Sequence, residues 1–345
     1  MSLPRHQRAV WLLGAERLEL RVVPLSAPSK GEVVVKIAAA LTCGTDLKVF
    51  RRGGHPSMLV APSPFGHECA GTIAAVGPEV ASWQVGERVA VANSAPCGSC
   101  RRCLAGRQNL CLDLHYLNGA FAEYLTVPAR FTATSLHTVP AALAFEVAAL
   151  AEPLACVLHG LDRTPLLPNS QVLVIGAGAI GLLWVAALAR QGHRVTVVDP
   201  HPNRLELAKA LGATATRLLE RTDGISPAPA SSHDFDAAIE TSASASGWEA
   251  AWAAVRTGGA INLFAGPAAG TRVPLDLHAL HYRELVVIGA YHHRPPLFAR
   301  ALELLATGSP DGARLLSSER PLEEVGEALR AMARRDAIRV VIRPG

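Results

Sequence analysis

Four cysteines lie close together in the first third of the chain, at Cys97, Cys100, Cys103 and Cys111, with the spacing C-x2-C-x2-C-x7-C. Four thiolates at this spacing can surround one Zn²⁺ in a tetrahedral site whose positions are all filled by the protein, which is the structural type of zinc site. An iron–sulfur cluster is the alternative metal group for such a set. The pattern therefore predicts a structural zinc lobe over about residues 93–113.

Three arginines in this lobe, Arg101, Arg102 and Arg107, raise the alternative of a nucleic-acid-binding zinc ribbon. The whole chain carries 33 Lys and Arg against 29 Asp and Glu, a net charge of +4, and only 5% of its residues are aromatic. This charge balance is too even for a nucleic-acid coat or a polybasic membrane patch, and few aromatics are available to stack on bases. We therefore expect neither nucleic acid nor membrane as a partner.

A second chemical motif is the turn Gly176-x-Gly178-x-x-Gly181, which follows the apolar run VLVI and opens an apolar helix with Ala179 and Ile180. The first glycine permits a tight turn, the second lets the backbone approach a pyrophosphate, and the third lets helix and strand pack closely. The helix N-terminus offers unpaired N–H groups and the positive end of its dipole. We interpret the motif as a dinucleotide-binding turn.

An acidic residue, Asp199, ends the next predicted strand 18 residues after Gly181. A carboxylate at this place can accept both hydroxyls of the adenosine ribose and repels a 2′-phosphate, which predicts NAD rather than NADP. Arg204 follows five residues later and could instead neutralise a 2′-phosphate. NADP therefore stays open as the alternative cofactor.

The elements that must position these groups change in type along the 345 residues, half of which are hydrophobic. Up to about residue 150, short β-rich runs such as 31–40, 70–77 and 87–93 are bounded by Gly, Pro and Ser, which predicts a small barrel. From 171 to about 290, β and α patterns alternate, which predicts a parallel, doubly wound sheet. An amphipathic helix at 295–308 and a strand at 338–344 complete a two-domain α/β chain.

Cysteine usage and the apolar segments indicate the compartment. The seven cysteines are odd in number and no export signal is visible, which favours metal binding over a disulfide framework. The 18-residue apolar run at 172–189 contains glycines at its centre, so we expect a strand, a turn and a helix rather than a membrane span. We expect a cytoplasmic protein.

Further metal-ligating residue types stand in or near glycine-containing turns: Cys43 in LTCGTD, His67 and Glu68 in FGHECAG, and Glu152 in LAEPLACVLHG. A thiolate, an imidazole and carboxylates could build an open zinc site of the catalytic type. Their spacing along the chain does not by itself bring them together.

In combination these motifs resemble the zinc-containing medium-chain dehydrogenase/reductase family over essentially the whole chain. Gly66-His67-Glu68-x2-Gly71-x5-Gly77 matches the family's zinc signature, and CGTD at 43–46, the cysteine lobe and GAGAIG at 176–181 follow in the family's order. The resemblance implies a GroES-like β-barrel catalytic domain, formed by 1–155 and 290–345, and a Rossmann NAD-binding domain at 156–289. It also implies a homodimer or homotetramer, paired along the sheet edge formed by the strands at 259–266 and 284–290.

The resemblance also assigns ligands to a catalytic zinc. It implies that Cys43, His67 and Glu152 bind this ion, so that each chain holds two zinc ions. Glu68 matches a neighbouring glutamate that in relatives approaches the metal directly or through water. A glutamate at 152, where other relatives have a cysteine, resembles the sorbitol dehydrogenase branch. Cys156 is a rival ligand, but the Glu-Pro sequence favours Glu152.

Two further positions follow from the resemblance. Thr45 matches the hydroxyl that passes the alcohol proton to the cofactor ribose. Many relatives end this relay with a histidine where the chain has Lys48, which either replaces that histidine or is a solvated side chain. His292 and His293 stand where sorbitol dehydrogenase-like proteins carry an arginine–tyrosine pair at the substrate, and a polar crossover between domains is the alternative for them.

The activity that the resemblance implies is reversible oxidation of a secondary alcohol, namely a polyol, cyclitol or sugar, to its ketone by hydride transfer to NAD. Three alternatives remain at this point: an amino-alcohol dehydrogenase of the threonine type, a zinc-dependent reductase or lyase-like relative, and a non-catalytic zinc protein. The presence of every implied zinc ligand together with Thr45 argues against the last of these.

Overall fold

A computed structural model describes residues 3–219, 234–308 and 310–345. The strands, in chain order, are β1 (His6–Gly14), β2 (Arg17–Pro24), β3 (Val33–Leu41), β4 (Gly54–His55), β5 (Leu59–Val60), β6 (Ser63–Pro64), β7 (Glu68–Val76), β8 (Arg88–Val91), β9 (Ser94–Ala95), β10 (His115–Tyr116), β11 (Tyr124–Val127), β12 (Leu136–Thr138), β13 (Gln171–Ile175), β14 (Arg194–Asp199), β15 (Ala215–Leu218), β16 (Phe235–Glu240), β17 (Val255–Leu263), β18 (Val286–Gly289), β19 (Leu316–Pro321) and β20 (Arg339–Arg343).

The helices, in the same order, are α1 (Gly44–Arg52), α2 (Arg101–Leu104), α3 (Ala129–Thr134), α4 (Phe145–Ala148), α5 (Ala151–Arg163), α6 (Ala179–Arg190), α7 (Pro202–Ala210), α8 (Ala245–Ala254), α9 (Leu277–Tyr282), α10 (Pro295–Ala306) and α11 (Val325–Arg334). Within the described ranges, no helix has both the length and the apolar character needed to cross a bilayer. The apolar run 172–189 instead forms most of β13, the glycine turn and most of α6, as its glycines predicted.

The chain divides into two compact units. The first contains the described residues up to 152 together with 294–308 and 312–345, and the second contains the described residues of 153–293 with 310 and 311. The sequence placed these boundaries at 155/156 and 289/290.

The first unit is built on a seven-stranded sheet in the order β12-β8-β7-β3-β20-β19, with β11 also paired to β3. Strand β3 reads VVVKIAAAL and is buried along almost its whole length, because β7, β11 and β20 all pair with it. Such a run of β-branched and small apolar residues is typical of a strand covered on both faces. The last strand of the chain, β20, therefore lies in the interior of this sheet and carries Arg339 into it.

The second unit contains a six-stranded parallel sheet in the order β15-β14-β13-β16-β17-β18. Helices α6, α7 and α8 alternate with its strands, so the predicted doubly wound sheet is confirmed. The strand order changes direction beside β13, between β14 on one side and β16 on the other. Ligands of such sheets bind outside the carboxyl ends of the strands at this reversal. The glycine turn after β13 and Asp199 at the end of β14 both lie there.

Candidate metal and cofactor sites

Three metal-ligating side chains of the first unit meet where α1 and β7 begin. Cys43 is the N-cap residue of α1, and His67 and Glu68 stand at the start of β7. One ligand atom of each lies within 4.8 Å of the others. A thiolate, an imidazole and a carboxylate in one buried cluster form a donor set that suits Zn²⁺.

Asp46 holds two of these residues in place. Its Oδ2 accepts from the backbone N–H of Cys43 at 3.0 Å and completes a capping box at the start of α1. Its Oδ1 accepts from Nδ1 of His67 at 2.8 Å. This bond keeps the imidazole proton on Nδ1, so Nε2 retains the lone pair that a metal needs. Our sequence analysis missed Asp46, although the C-x-x-D spacing of a capping box signals it.

The charges in the cluster favour a metal-binding thiolate. Burial alone raises the pKa of the Cys43 thiol, but the charge of Arg339 and the bond with His67 outweigh it and lower that pKa to about 7. For His67, burial opposes protonation, yet the Asp46 carboxylate and Cys43 raise its pKa well above the usual value. Negative groups thus surround His67, and a cation is the natural occupant of the space between them.

Glu68 forms a buried ion pair with Arg339. Arg339 Nη1 donates to Glu68 Oε2 and also to the backbone carbonyl of Thr42 at 3.3 Å. Glu68 is 0% exposed and Arg339 is 1% exposed. Burial, with smaller effects of Cys43 and Glu152, raises the pKa of Glu68 even though Arg339 opposes the shift. Arg339 is a site residue that the sequence analysis did not find, because nothing near it in sequence marks it.

The glycines of the zinc signature are required by close backbone packing. Gly66, directly before His67, has φ +89°, and a Cβ there would lie 2.7 Å from the Phe121 ring. A Cβ on Gly71 would lie 2.0 Å from a carbonyl oxygen of the neighbouring strand β3. Side chains at these positions would therefore displace His67 or β7, since neither contact can be accommodated.

The remaining residues predicted at the catalytic site have different surroundings. Thr45 is half-buried in the first turn of α1, and its N–H donates to Cys43 Sγ at 3.4 Å. Lys48 is exposed on the same helix. Glu152 is buried near the start of α5, and its charge acts on Glu68 and Arg339, but it stands outside the set formed by Cys43, His67 and Glu68.

Three more of these residues belong to the second unit. Cys156 follows Glu152 by one turn of α5 and is half-buried. His292 and His293 follow β18, with their ring centroids 4.2 Å apart. His292 has φ +59°, and His293 is buried.

The cysteine lobe has the geometry of a tetrahedral zinc site. The Sγ atoms of Cys97 and Cys103 lie 3.9 Å apart, and those of Cys100 and Cys111 lie 3.8 Å apart. Zn–S bonds of about 2.3 Å in a tetrahedron place the sulfurs about 3.8 Å apart. One ligand atom from each of the four cysteines lies within 4.8 Å of the others. The lobe therefore fits one zinc ion in a closed site, in which the four cysteine sulfurs fill every coordination position.

Backbone N–H groups support these sulfurs. The N–H groups of Cys97 and Asp113 both donate to Cys111 Sγ, at 3.2 and 3.4 Å, and the N–H of Cys100 donates to Cys97 Sγ at 3.3 Å. Arg130 attaches the lobe to helix α3, since its guanidinium donates to Asp113 Oδ2 at 2.7 Å and to the backbone carbonyl of Pro96 at 3.2 Å. None of the seven cysteines forms a disulfide.

The glycine turn of the second unit leaves room for a dinucleotide. Gly178 is the N-cap of α6 without a side-chain cap, and a Cβ built on it would meet nothing within 4 Å. Gly181, by contrast, packs so closely that a Cβ would lie 1.8 Å from the carbonyl oxygen of Gly176. The helix N-terminus thus has open space in front of it and offers N–H groups to an anion. Ala179 and Ile180, between the glycines, form the first turn.

Asp199 lies beside this turn. Its Oδ2 accepts from the N–H of Ala177 at 2.8 Å, and its Oδ1 accepts from the backbone N–H of His201 at 2.9 Å and from His201 Nδ1 at 2.8 Å. Arg204 lies in the first turn of α7. The sequence analysis predicted Asp199 and Arg204 as cofactor contacts and did not identify His201.

Comparison with known protein families gives two matches. Residues 29–140 match the model of the alcohol dehydrogenase GroES-like domain, and residues 179–307 match that of the zinc-binding dehydrogenase domain. These matches, together with the parallel sheet of the second unit, confirm the predicted fold class of a GroES-like domain joined to a Rossmann domain.

Individual relatives extend over most of the chain. A sorbitol dehydrogenase of Bacillus subtilis is 31% identical over 99% of both chains. An L-threonine 3-dehydrogenase of Chromobacterium violaceum is 31% identical over 81% of this chain and 82% of its own. Among solved structures, a zinc-binding dehydrogenase from Sinorhizobium meliloti bound to NADP is 29% identical, has a TM-score of 0.90, and matches 99% of this chain and 100% of its own.

Proposed function

Because this chain belongs to the zinc-containing medium-chain dehydrogenase/reductase family, we propose that it oxidises a secondary alcohol with neighbouring hydroxyls to the corresponding ketone. The substrate class is a polyol, cyclitol or sugar, and the cofactors are zinc and NAD. The observation that carries the proposal is the buried cluster of Cys43, His67 and Glu68, in which Asp46 orients the imidazole. The first unit is the catalytic domain in this proposal, and the second binds the dinucleotide.

In our proposal Cys43 and His67 hold the catalytic zinc together with Glu152, the ligand that the family resemblance assigns. Glu68, which has a ligand atom within 4.8 Å of those of Cys43 and His67, is the alternative carboxylate ligand. The four lobe cysteines hold the structural zinc. Zinc, when bound, draws electron density from the substrate hydroxyl, and NAD, when bound, accepts the hydride. Asp46 keeps a proton on Nδ1 of His67, so Nε2 would be the nitrogen that binds zinc. Arg339 balances the charge of Glu68 beside the ligands.

The proton of the substrate hydroxyl leaves through Thr45. Thr45 stands two residues after Cys43 in the first turn of α1, and its hydroxyl can both accept and donate hydrogen bonds, which supports this role. Lys48 is exposed on the same helix and stays the alternative for the outer end of the relay. We therefore propose that the proton passes from Thr45 to the cofactor ribose, and from there to solvent.

NAD is the proposed cofactor because Asp199 stands at the end of β14 beside the glycine turn. A carboxylate there accepts ribose hydroxyls and repels a 2′-phosphate. The similarity to a dehydrogenase structure bound to NADP supports a nicotinamide dinucleotide as the cofactor. Whether this chain prefers a hydroxyl or a phosphate at the ribose 2′ position is therefore the property to test.

Two observations support a polyol-type substrate: the carboxylate ligand proposed for the catalytic zinc, and the similarity of almost the whole chain to a sorbitol dehydrogenase. An oxygen ligand at Glu152 replaces a soft thiolate and suits oxygen-rich substrates. The second candidate, an amino-alcohol of the threonine type, is supported by the threonine dehydrogenase relative and by the carboxylates of the site, which could pair with an ammonium.

The test compares kcat/KM with NAD⁺ for sorbitol, for its analogue without the hydroxyl next to the reacting carbon, for L-threonine and for 1-butanol. A site built to pair hydroxyls rejects the deoxy analogue by roughly a thousandfold or more. The Cys43→Ser variant, prepared in the same way, measures the background from contaminating enzymes. A ratio near one, or faster oxidation of 1-butanol, contradicts the polyol proposal, and faster oxidation of threonine supports the second candidate.

We propose that a second copy of the chain covers the edge strand β18. Val286 and Val287 are 43% and 39% exposed there, and Leu277 and Tyr282 on α9 are 69% and 70% exposed. An apolar strand edge offers unpaired backbone groups to another strand, and two-fold pairing satisfies both copies. Light scattering at micromolar concentration should give a dimer or a dimer of dimers, and Val286→Lys should weaken it. A monomeric wild type contradicts the proposal.

The cytoplasm is the proposed location. The absence of a disulfide among the seven cysteines is compatible with a reducing compartment. Fractionation of the native host with detection of the protein in the soluble cytoplasmic fraction tests this.

A further inference from the structure

The carboxylate that should read the cofactor ribose is already heavily hydrogen-bonded. Three N–H groups donate to Asp199: the backbone of Ala177, and both the backbone and the ring of His201. An ionised carboxylate offers about four lone-pair sites in all. Two ribose hydroxyls would need two of them, so the ring of His201 competes directly with the ribose for Asp199.

The ring of His201 is held toward Asp199 by its place in the fold. His201 is the N-cap residue of α7, and Pro202 follows at the first helical position. A side chain at an N-cap can accept hydrogen bonds from the first turn, but the His201 ring makes no such cap bond. Its Nδ1 bonds instead to Asp199 at 2.8 Å, in a pair whose side chains are 27% and 6% exposed.

We infer that His201 is a positioning residue that sets the discrimination between NAD and NADP, an inference that rests on the proposed function. By donating from Nδ1, it occupies an oxygen of Asp199, and its N–H dipole offsets part of the negative charge that the carboxylate would present to the ribose 2′ group. Both effects weaken the preference for a 2′-hydroxyl over a 2′-phosphate. Arg204, in the first turn of the same helix, adds positive charge near this end of the sheet.

The experiment measures binding of two cofactor fragments, ADP-ribose and 2′-phospho-ADP-ribose, by titration calorimetry on the zinc-loaded full chain. Removing the ring with His201→Ala should free Asp199, tighten ADP-ribose and weaken the phosphorylated fragment. The ratio of the two dissociation constants should move toward ADP-ribose by about tenfold, the effect of one hydrogen bond to a charged group. His201→Asn retains an N–H donor at the same distance along the side chain and should restore the wild-type ratio.

His115→Ala is the matched control. His115 also bonds to an aspartate two residues earlier, Asp113, at 3.0 Å, but it lies in the other unit and is exposed. It should leave both dissociation constants unchanged.

An equal change of both constants in His201→Ala, no change in either, or an Asn variant that behaves like the Ala variant overturns the inference. If neither fragment binds to the wild-type protein, the proposed function fails instead.

Discussion

The buried pair of Glu68 and Arg339 allows a quantitative prediction for Arg339→Met. The substitution keeps an unbranched chain up to the position of Nε, removes the guanidinium, and leaves the Glu68 carboxyl without its cationic partner at a position that is 0% exposed. Breaking a buried ion pair from one side costs about 3–5 kcal/mol of unfolding free energy. For a unit of this size that corresponds to a decrease in Tm of about 6–20 °C.

A double-mutant cycle separates the pair from the volume change. Glu68→Gln removes the charge of the carboxylate, and the double variant Glu68→Gln with Arg339→Met contains neither charge. Because no unpaired charge remains buried, the double variant should recover at least about 2 kcal/mol relative to the Arg339→Met variant. Urea unfolding, followed by circular dichroism in zinc-containing buffer, measures all four proteins.

Arg343→Met is the control, since Arg343 lies on the same strand β20. Arg343 pairs with Glu319 at 2.7 Å and with Glu146 at 3.3 Å, whose side chains are 55% and 26% exposed, and ion pairs open to solvent contribute about 0–1 kcal/mol each. If the unfolding free energy of Arg339→Met lies within about 1 kcal/mol of that of the wild type, or is lowered no more than that of Arg343→Met, the buried pair does not contribute to stability as predicted.

The other predictions concern the metals, the cofactor and pH. Cys100→Ser should lower Tm and release one zinc ion, because a closed structural site couples metal binding to folding. Cys43→Ser should abolish turnover and leave Tm nearly unchanged. Metal analysis that finds fewer than two zinc ions per wild-type chain contradicts the assignment of two zinc sites. Asp199→Ser should weaken NAD and improve NADP, measured as kcat/KM for each, and a wild type that already prefers NADP would show that Asp199 does not set the choice. His137 is half-buried, its ring stacks on that of Phe298 with the ring centroids 4.7 Å apart, and the loss of solvent around the imidazole lowers its pKa to about 4. The unfolded chain binds this proton near pH 6.5 and the folded chain does not, so the stabilisation is fully present above pH 6.5 and decreases by up to about 3 kcal/mol toward pH 4. In His137→Phe, the unfolding free energy measured with urea should depend less on pH over this range. A pH dependence equal to that of the wild type would refute the prediction.

Features with short sequence separation were predicted from the sequence. The four cysteines of the lobe span 15 residues, and the glycine turn spans six, so the chain itself holds their groups near one another. The hydrophobic patterns predicted the strands and helices around the turn for the same reason, because the periodicity of burial is local. The catalytic zinc ligands were grouped only by resemblance to a family, since Cys43, His67 and Glu152 stand in three separate segments.

The contacts between distant segments were decided by the tertiary structure. Asp46 reaches His67 across 21 residues, and Arg339 reaches Glu68 across 271, because β3 pairs with both β7 and β20 and so brings the end of the chain beside the zinc signature. The bond from His201 to Asp199 is local in sequence. How many acceptor positions of Asp199 are occupied also depends on the N–H of Ala177, which the parallel pairing of β13 and β14 brings to the same carboxylate. Sequence shows which groups can bind a metal or an anion, but only strand pairing determines which charges neutralise one another.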